Sequence, residues 1–106
     1  MALGTNSSYC TYFFHANETT EALTAAFPGD PILFINQILD QPPINFITEG
    51  LMIANDSAAS IFISLNGTDN HGEIKVGETL LFDKAKLKQV WVRGTAGGEA
   101  YRLWAW

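Results

Sequence analysis

From Gly50 to the end of the chain, apolar and polar residues alternate in short runs separated by turn residues. Leu51-Met52-Ile53-Ala54-Asn55 predicts a strand and Asp56-Ser57-Ala58-Ala59 a turn. Ser60 to Leu65 alternates, with Ile61, Ile63 and Leu65 on one face, and Asn66-Gly67 is a turn signal. Glu73 to Val76 and Glu78 to Asp83 flank Gly77, and Leu87–Arg93 and Ala100–Trp106 complete the series. The first half is less regular. Cys10 to His15 is aromatic and β-leaning, Ile32 to Ile35 reads as a strand, and Pro42-Pro43 forces an extended break before Ile44-Asn45-Phe46-Ile47. Asn17 is positioned to cap a short helix over Glu18–Ala26, which Pro28-Gly29 would stop. Short strands with turns about every ten residues predict an all-β fold. The expected form is an antiparallel β-sandwich or jelly roll with at most one short helix near the N-terminus. Residues 1–8, small and polar, read as a flexible arm, and 9–106 as a single β-sandwich domain.

The final segment is unusually aromatic. All three tryptophans, Trp91, Trp104 and Trp106, lie there beside Arg93 and Arg102. A hairpin closed by Gly94–Glu99 would set Arg93 opposite Ala100 and Trp91 opposite Arg102. Val90, Val92, Tyr101 and Leu103 would then share a core face, and Trp91, Arg93, Arg102, Trp104 and Trp106 the other. Tryptophan and arginine dominate interface hot spots, so this second face is either an assembly surface or a further core layer covered by residues 9–47. Tyr12, Phe13 and Phe14 follow the polar arm in a stretch without charge and join the candidate interface set. The expected core comprises Ile61, Ile63, Leu65, Leu80, Phe82, Val90, Val92 and Leu103.

Net charge is −5, which argues against nucleic-acid binding, since that needs a basic footprint. The charge is uneven: no Lys or Arg precedes Lys75, whereas eight of the eleven carboxylates fall within residues 1–74. If folding keeps these halves apart, head-to-tail association or docking on an oppositely charged surface is favoured. Cys10 is the single cysteine, so no internal disulfide is expected. There is no apolar run of about 20 residues to span a membrane, and Met1–Asn6 lacks the features of a secretory signal. Both point to synthesis and folding in a reducing cytoplasm.

Candidate chemistry is sparse. His71 lies in Thr68-Asp69-Asn70-His71-Gly72-Glu73, which supplies part of a cupin-like metal set, while His15 sits in an unrelated context. A turn between strands is rich in Asp, Asn and Gly for its own reasons. Cys10 has no surrounding nucleophile motif, and Gly94, Gly97 and Gly98 precede a strand rather than a phosphate-binding helix. The reading is a protein without enzymatic activity, cofactor or metal.

The stretch Ile53-Ala54-Asn55-Asp56-Ser57 to Asn66-Gly67, the Gly77-Glu78 corner, Val90-Trp91-Val92-Arg93-Gly94 and the terminal Tyr101–Trp106 together resemble small virion proteins of tailed bacteriophages. The resemblance covers about residues 50–106 and is a pattern of turns and alternating strands. It implies an all-β structural subunit present in many copies in the virion, of the capsid decoration or cement type, which binds the major capsid protein or other virion proteins and is expected to be a homo-oligomer. The alternatives are a tail, connector or fibre-associated component, a carbohydrate-binding β-sandwich whose tryptophans stack on sugar rings, and a degenerate cupin-like enzyme around His71.

Overall fold

The computed structural model describes residues 11–20, 29–38 and 42–106. Within them the chain forms eight strands: β1 Phe13–Glu18, β2 Asp30–Leu33, β3 Leu51–Asn55, β4 Ile61–Ser64, β5 Gly72–Ile74, β6 Thr79–Phe82, β7 Gln89–Gly94 and β8 Ala100–Ala105. They make two antiparallel four-stranded sheets, ordered β1-β8-β3-β6 and β2-β7-β4-β5. The first strand pairs with the last, the second with the seventh, the third with the sixth and the fourth with the fifth. β3 also pairs with β8, and β4 with β7. This is the arrangement of a jelly roll, in which one long antiparallel ribbon of strand pairs is rolled into two facing sheets.

The core lies between the sheets. Phe13, Leu51, Ile53, Tyr101, Leu103 and Ala105 come from one side, and Ile32, Ile61, Ile63, Ile74, Val90 and Val92 from the other. Five of the residues expected in the core, Ile61, Ile63, Val90, Val92 and Leu103, are fully buried. Leu65, Leu80 and Phe82 are partly buried and pack against that cluster.

Two expectations are corrected. Asn17 and Glu18 do not begin a helix; they end β1, paired with Tyr101 and Ala100 of β8. The strand is held to its last residue because Thr19 continues its attachment, with its N–H donating to the Glu99 carbonyl (2.9 Å). Tertiary pairing overrides the local capping signal here. Residues 21–28, and likewise the 1–8 arm and Cys10, lie outside the described residues.

The second correction concerns the end of the chain. β7 and β8 do not form a hairpin. Both edges of β7 are taken by β2 and β4, and both edges of β8 by β1 and β3. The Gly94–Glu99 segment instead carries the chain from one sheet to the other. Gly97 and Gly98 adopt positive φ (91° and 85°), which lets the segment fold back on itself. Glu99 turns its carboxylate inward and accepts hydrogen bonds from the N–H groups of Ala96 and Gly97 and from the Thr19 hydroxyl (2.6 Å). A crossing built around a buried carboxylate replaces the simple turn.

Rolling also mixes the charges. Pairing early strands with late ones brings the acidic half of the sequence beside the basic half. The ion pairs among the described residues both cross that divide, Arg102 with Asp56 and Lys86 with Glu49.

Candidate assembly surface

Strand alternation assigns each residue of the β1-β8-β3-β6 sheet to the core or to the outside. One cross-strand row, Phe13, Ala105, Leu51 and Phe82, points inward. The next row, Phe14, Trp104, Met52 and Leu81, therefore points outward. An outer row in an antiparallel sheet is ordinarily polar. This one is apolar on all four strands.

Its neighbours extend it. The Phe14 ring packs against Trp104 with centroids 5.4 Å apart. Arg102 lies on the same face two residues from Trp104, its guanidinium 5.1 Å from the indole centroid, a cation–π contact. Arg102 also donates from Nε and one terminal nitrogen to the two carboxylate oxygens of Asp56 (2.6 and 2.9 Å). The guanidinium holds the Asp56 carboxyl below its usual range, and the carboxylate raises the arginine in turn. Trp106 prolongs β8, exchanging backbone hydrogen bonds with Gly50. A Cβ at Gly50 would lie 2.8 Å from the Trp106 ring, so glycine there lets the indole lie against the backbone. Tyr12, one residue before β1, alternates to the same side as Phe14.

Of the eight residues expected at an interface, Tyr12, Phe14, Arg102, Trp104 and Trp106 thus share one outer sheet face. The other three do not join them. Phe13 is only 5% exposed and belongs to the core, edge-on to Phe34. Trp91 and Arg93 belong to the opposite sheet, on the far side of the molecule. Trp91 lies against Gly67 of the Asn66-Gly67 turn. Arg93 is buried, opposite Phe62 of β4. The expected pairing of Trp91 with Arg102 is therefore replaced by that of Arg102 with Trp104.

Met52 and Leu81 were missed. The signal was present, because Leu51–Ala54 and Leu80–Phe82 are unbroken apolar runs, the pattern of strands covered on both faces. Leu81 is 53% exposed, so its outer side is open among the described residues.

The residues that carry the sequence pattern are turn builders. Asn55 is buried and donates from Nδ2 to the carbonyls of Ala59 (2.7 Å) and Ile74 (2.8 Å). Its Oδ1 accepts from the Ser57 N–H and hydroxyl. Asn66 Oδ1 accepts from the N–H groups of Thr68 and Asp69, and Nδ2 donates to the Asp69 carboxylate. Glu78 accepts the Lys75 N–H and closes the Gly77 corner. His71 serves the same purpose, its Nδ1 accepting the Leu65 N–H (2.9 Å). Among the described residues, no three His, Cys, Asp or Glu side chains come together. No protein-family model matches the chain, and no similar sequence was found among curated proteins.

Proposed function

We propose that this chain is a virion structural protein without catalytic activity that binds and stabilises a tailed-phage capsid in many copies, as a decoration protein does. Its partners are the major capsid protein or other virion proteins, and its working place is the particle, after synthesis in the host cytoplasm. The observation that carries this reading is the outer row Phe14-Trp104-Met52-Leu81, an apolar stripe across a whole sheet that is half-buried at its first three members and open at Leu81.

Size supports a repeated contact. Four strands about 4.8 Å apart and about five residues long give a face of roughly 350 Å². Two such surfaces in contact bury roughly 700 Å² in total, below the roughly 1,200–2,000 Å² of a stable one-to-one complex. A contact of this size is weak alone and effective when many copies bind one lattice. The carbohydrate reading has less support, because a sugar ring needs a free indole face and Arg102 covers one face of Trp104. The test is to mix the purified chain with undecorated phage capsids, pellet, and measure occupancy. Saturable binding at a fixed number of copies per particle is expected; absence of binding to capsid, tail and connector alike would refute the reading.

A further inference from the structure

The two ends of the sandwich differ. One end gathers the corners 56–60, 75–78 and 95–99, tied by bonds such as Asn55 N–H to the Glu78 carbonyl and the Thr95 hydroxyl to the Ser60 carbonyl. The other gathers 42–50, 83–88 and Trp106, tied by Thr48 N–H to the Leu87 carbonyl and Glu49 N–H to the Trp106 carbonyl. This second end has a shallow groove lined by Asn45, Phe46, Ile47 and Lys88. Phe46 is anchored by its ring against Phe34 and by its N–H to the Phe34 carbonyl, so the groove is built on the core. Ile44 and Ile47 stand exposed beside it. Lys84, Lys86 and Lys88 alternate along the neighbouring loop with Ala85 and Leu87, which pack inward. Half of the chain's six basic residues are therefore at this rim.

The corner end has the complementary features. Among the described residues its only large exposed apolar side chain is Val76, 56% exposed at the tip of the β5–β6 corner. Glu73 and Glu78 flank it, against the single base Lys75. Lys86 at this rim is ion-paired with Glu49, but a groove-to-groove contact would set Lys88, which lines the groove, against its own copy. A contact of the groove with the Val76 corner matches apolar to apolar and basic to acidic. The two ends are separated by the length of the strands, about 20 Å for six residues, so no molecule can make this contact with itself.

We infer that the Val76 corner of one copy docks into the Phe46–Ile47 groove of the next, a head-to-tail contact of this chain with itself. Such a heterologous contact produces rings or open chains rather than a closed two-fold dimer. It uses the ends of the sandwich and leaves the outer sheet face free, so it holds independently of what that face binds.

Sedimentation velocity of the full-length chain over a concentration series, at low and high salt, tests it. The wild type should form species larger than a dimer at low salt and fewer of them at high salt. Val76→Asp, at an exposed position, should stay monomeric with an unchanged melting temperature. The Lys84→Glu/Lys88→Glu double variant should associate at least about tenfold more weakly, and mixing it with Glu73→Lys should restore part of the loss. A wild type that is monomeric throughout, or a Val76→Asp variant that associates like the wild type, overturns the inference. The capsid reading fails separately: it would fall if the wild type assembled with itself but bound no particle.

Discussion

Asn55→Asp changes one amide to a carboxylate of nearly the same shape and isolates the bonds that hold the β3–β4 turn. The two hydrogen bonds from Nδ2 to Ala59 and Ile74 are lost, and an acceptor then faces two carbonyl acceptors. The bonds from Ser57 to Oδ1 are retained. Each lost bond is worth about 1 kcal/mol net, so about 2 kcal/mol follows from the bonds alone. The new charge is buried without a partner cation, which brings the cost to at least about 3 kcal/mol at neutral pH. For a domain of this size, roughly 4 °C is lost per kcal/mol, so the melting temperature should fall by about 12 °C or more. In acid the carboxyl protonates and regains one O–H donor, so the gap to the wild type should narrow. Asn55→Ala loses these two bonds and the two from Ser57 without gaining charge, and its gap should not depend on pH. Thermal melts of the three proteins by circular dichroism at neutral and acid pH make the comparison. An Asn55→Asp variant melting within about 3 °C of the wild type at neutral pH, or a gap that does not shrink in acid, would refute the role given to Asn55.

Two further expectations concern pH. The hydrogen bonds from Thr19, Ala96 and Gly97 outweigh burial and hold the Glu99 carboxyl below its ordinary value. Its contribution is therefore full above the unfolded value of about 4.5 and is lost as pH falls through the lower folded value. Glu99→Gln should cost about 1–3 kcal/mol at neutral pH and flatten the acid limb of a stability–pH curve; an unchanged limb would show that the carboxylate is not the acid-sensitive group. His15 is half-buried between the rings of Phe13 and Tyr101, and burial lowers its value below the ordinary 6.5. Its neutral form is favoured in the folded state, so stability is full above pH 6.5 and declines as pH drops toward the lower folded value. His15→Phe should remove that slope in denaturant melts, and a slope that persists would assign it elsewhere.

Much of the fold was legible because it is carried by local patterns. β3 and β8 fall where the apolar runs predicted them, and the Asn66 and Gly77 turns sit at their signals because each depends on residues within a few positions, as does the Asn55 turn apart from its bond to Ile74. Alternation also placed Val90, Val92, Tyr101 and Leu103 on core-facing sides. It could not say that these pairs face each other from opposite sheets. Inward is the same direction for a hairpin partner and for a strand across the core, so Trp91 and Trp104 were both read as outward and wrongly as neighbours. The choice between the two depends on β1 and β2, which take the free edges of β8 and β7 from far away in the sequence. The β1 extension to Glu18 was hidden for the same reason, since its support comes from Ala100 and Glu99. The outer apolar row was half visible: its aromatics stood out, whereas Met52 and Leu81 become part of it only through the cross-strand register.

That face can be tested with a matched pair of substitutions. Leu81 and Leu33 are 53% and 50% exposed, on the outer faces of opposite sheets, each on an edge strand. Leu81→Asp and Leu33→Asp remove equal apolar surface and add equal charge, so their effects on folding should be alike. Only Leu81 lies in the Phe14-Trp104-Met52 row. Occupancy of each variant on undecorated capsids, titrated beside thermal melts of the free proteins, separates docking from stability. The account predicts similar melts, near wild-type occupancy for Leu33→Asp, and an apparent affinity at least about tenfold lower for Leu81→Asp, from the loss of a half-exposed leucine's burial and the placement of a charge in an apolar contact. Equal occupancy for the two variants, or a loss confined to Leu33→Asp, would contradict it.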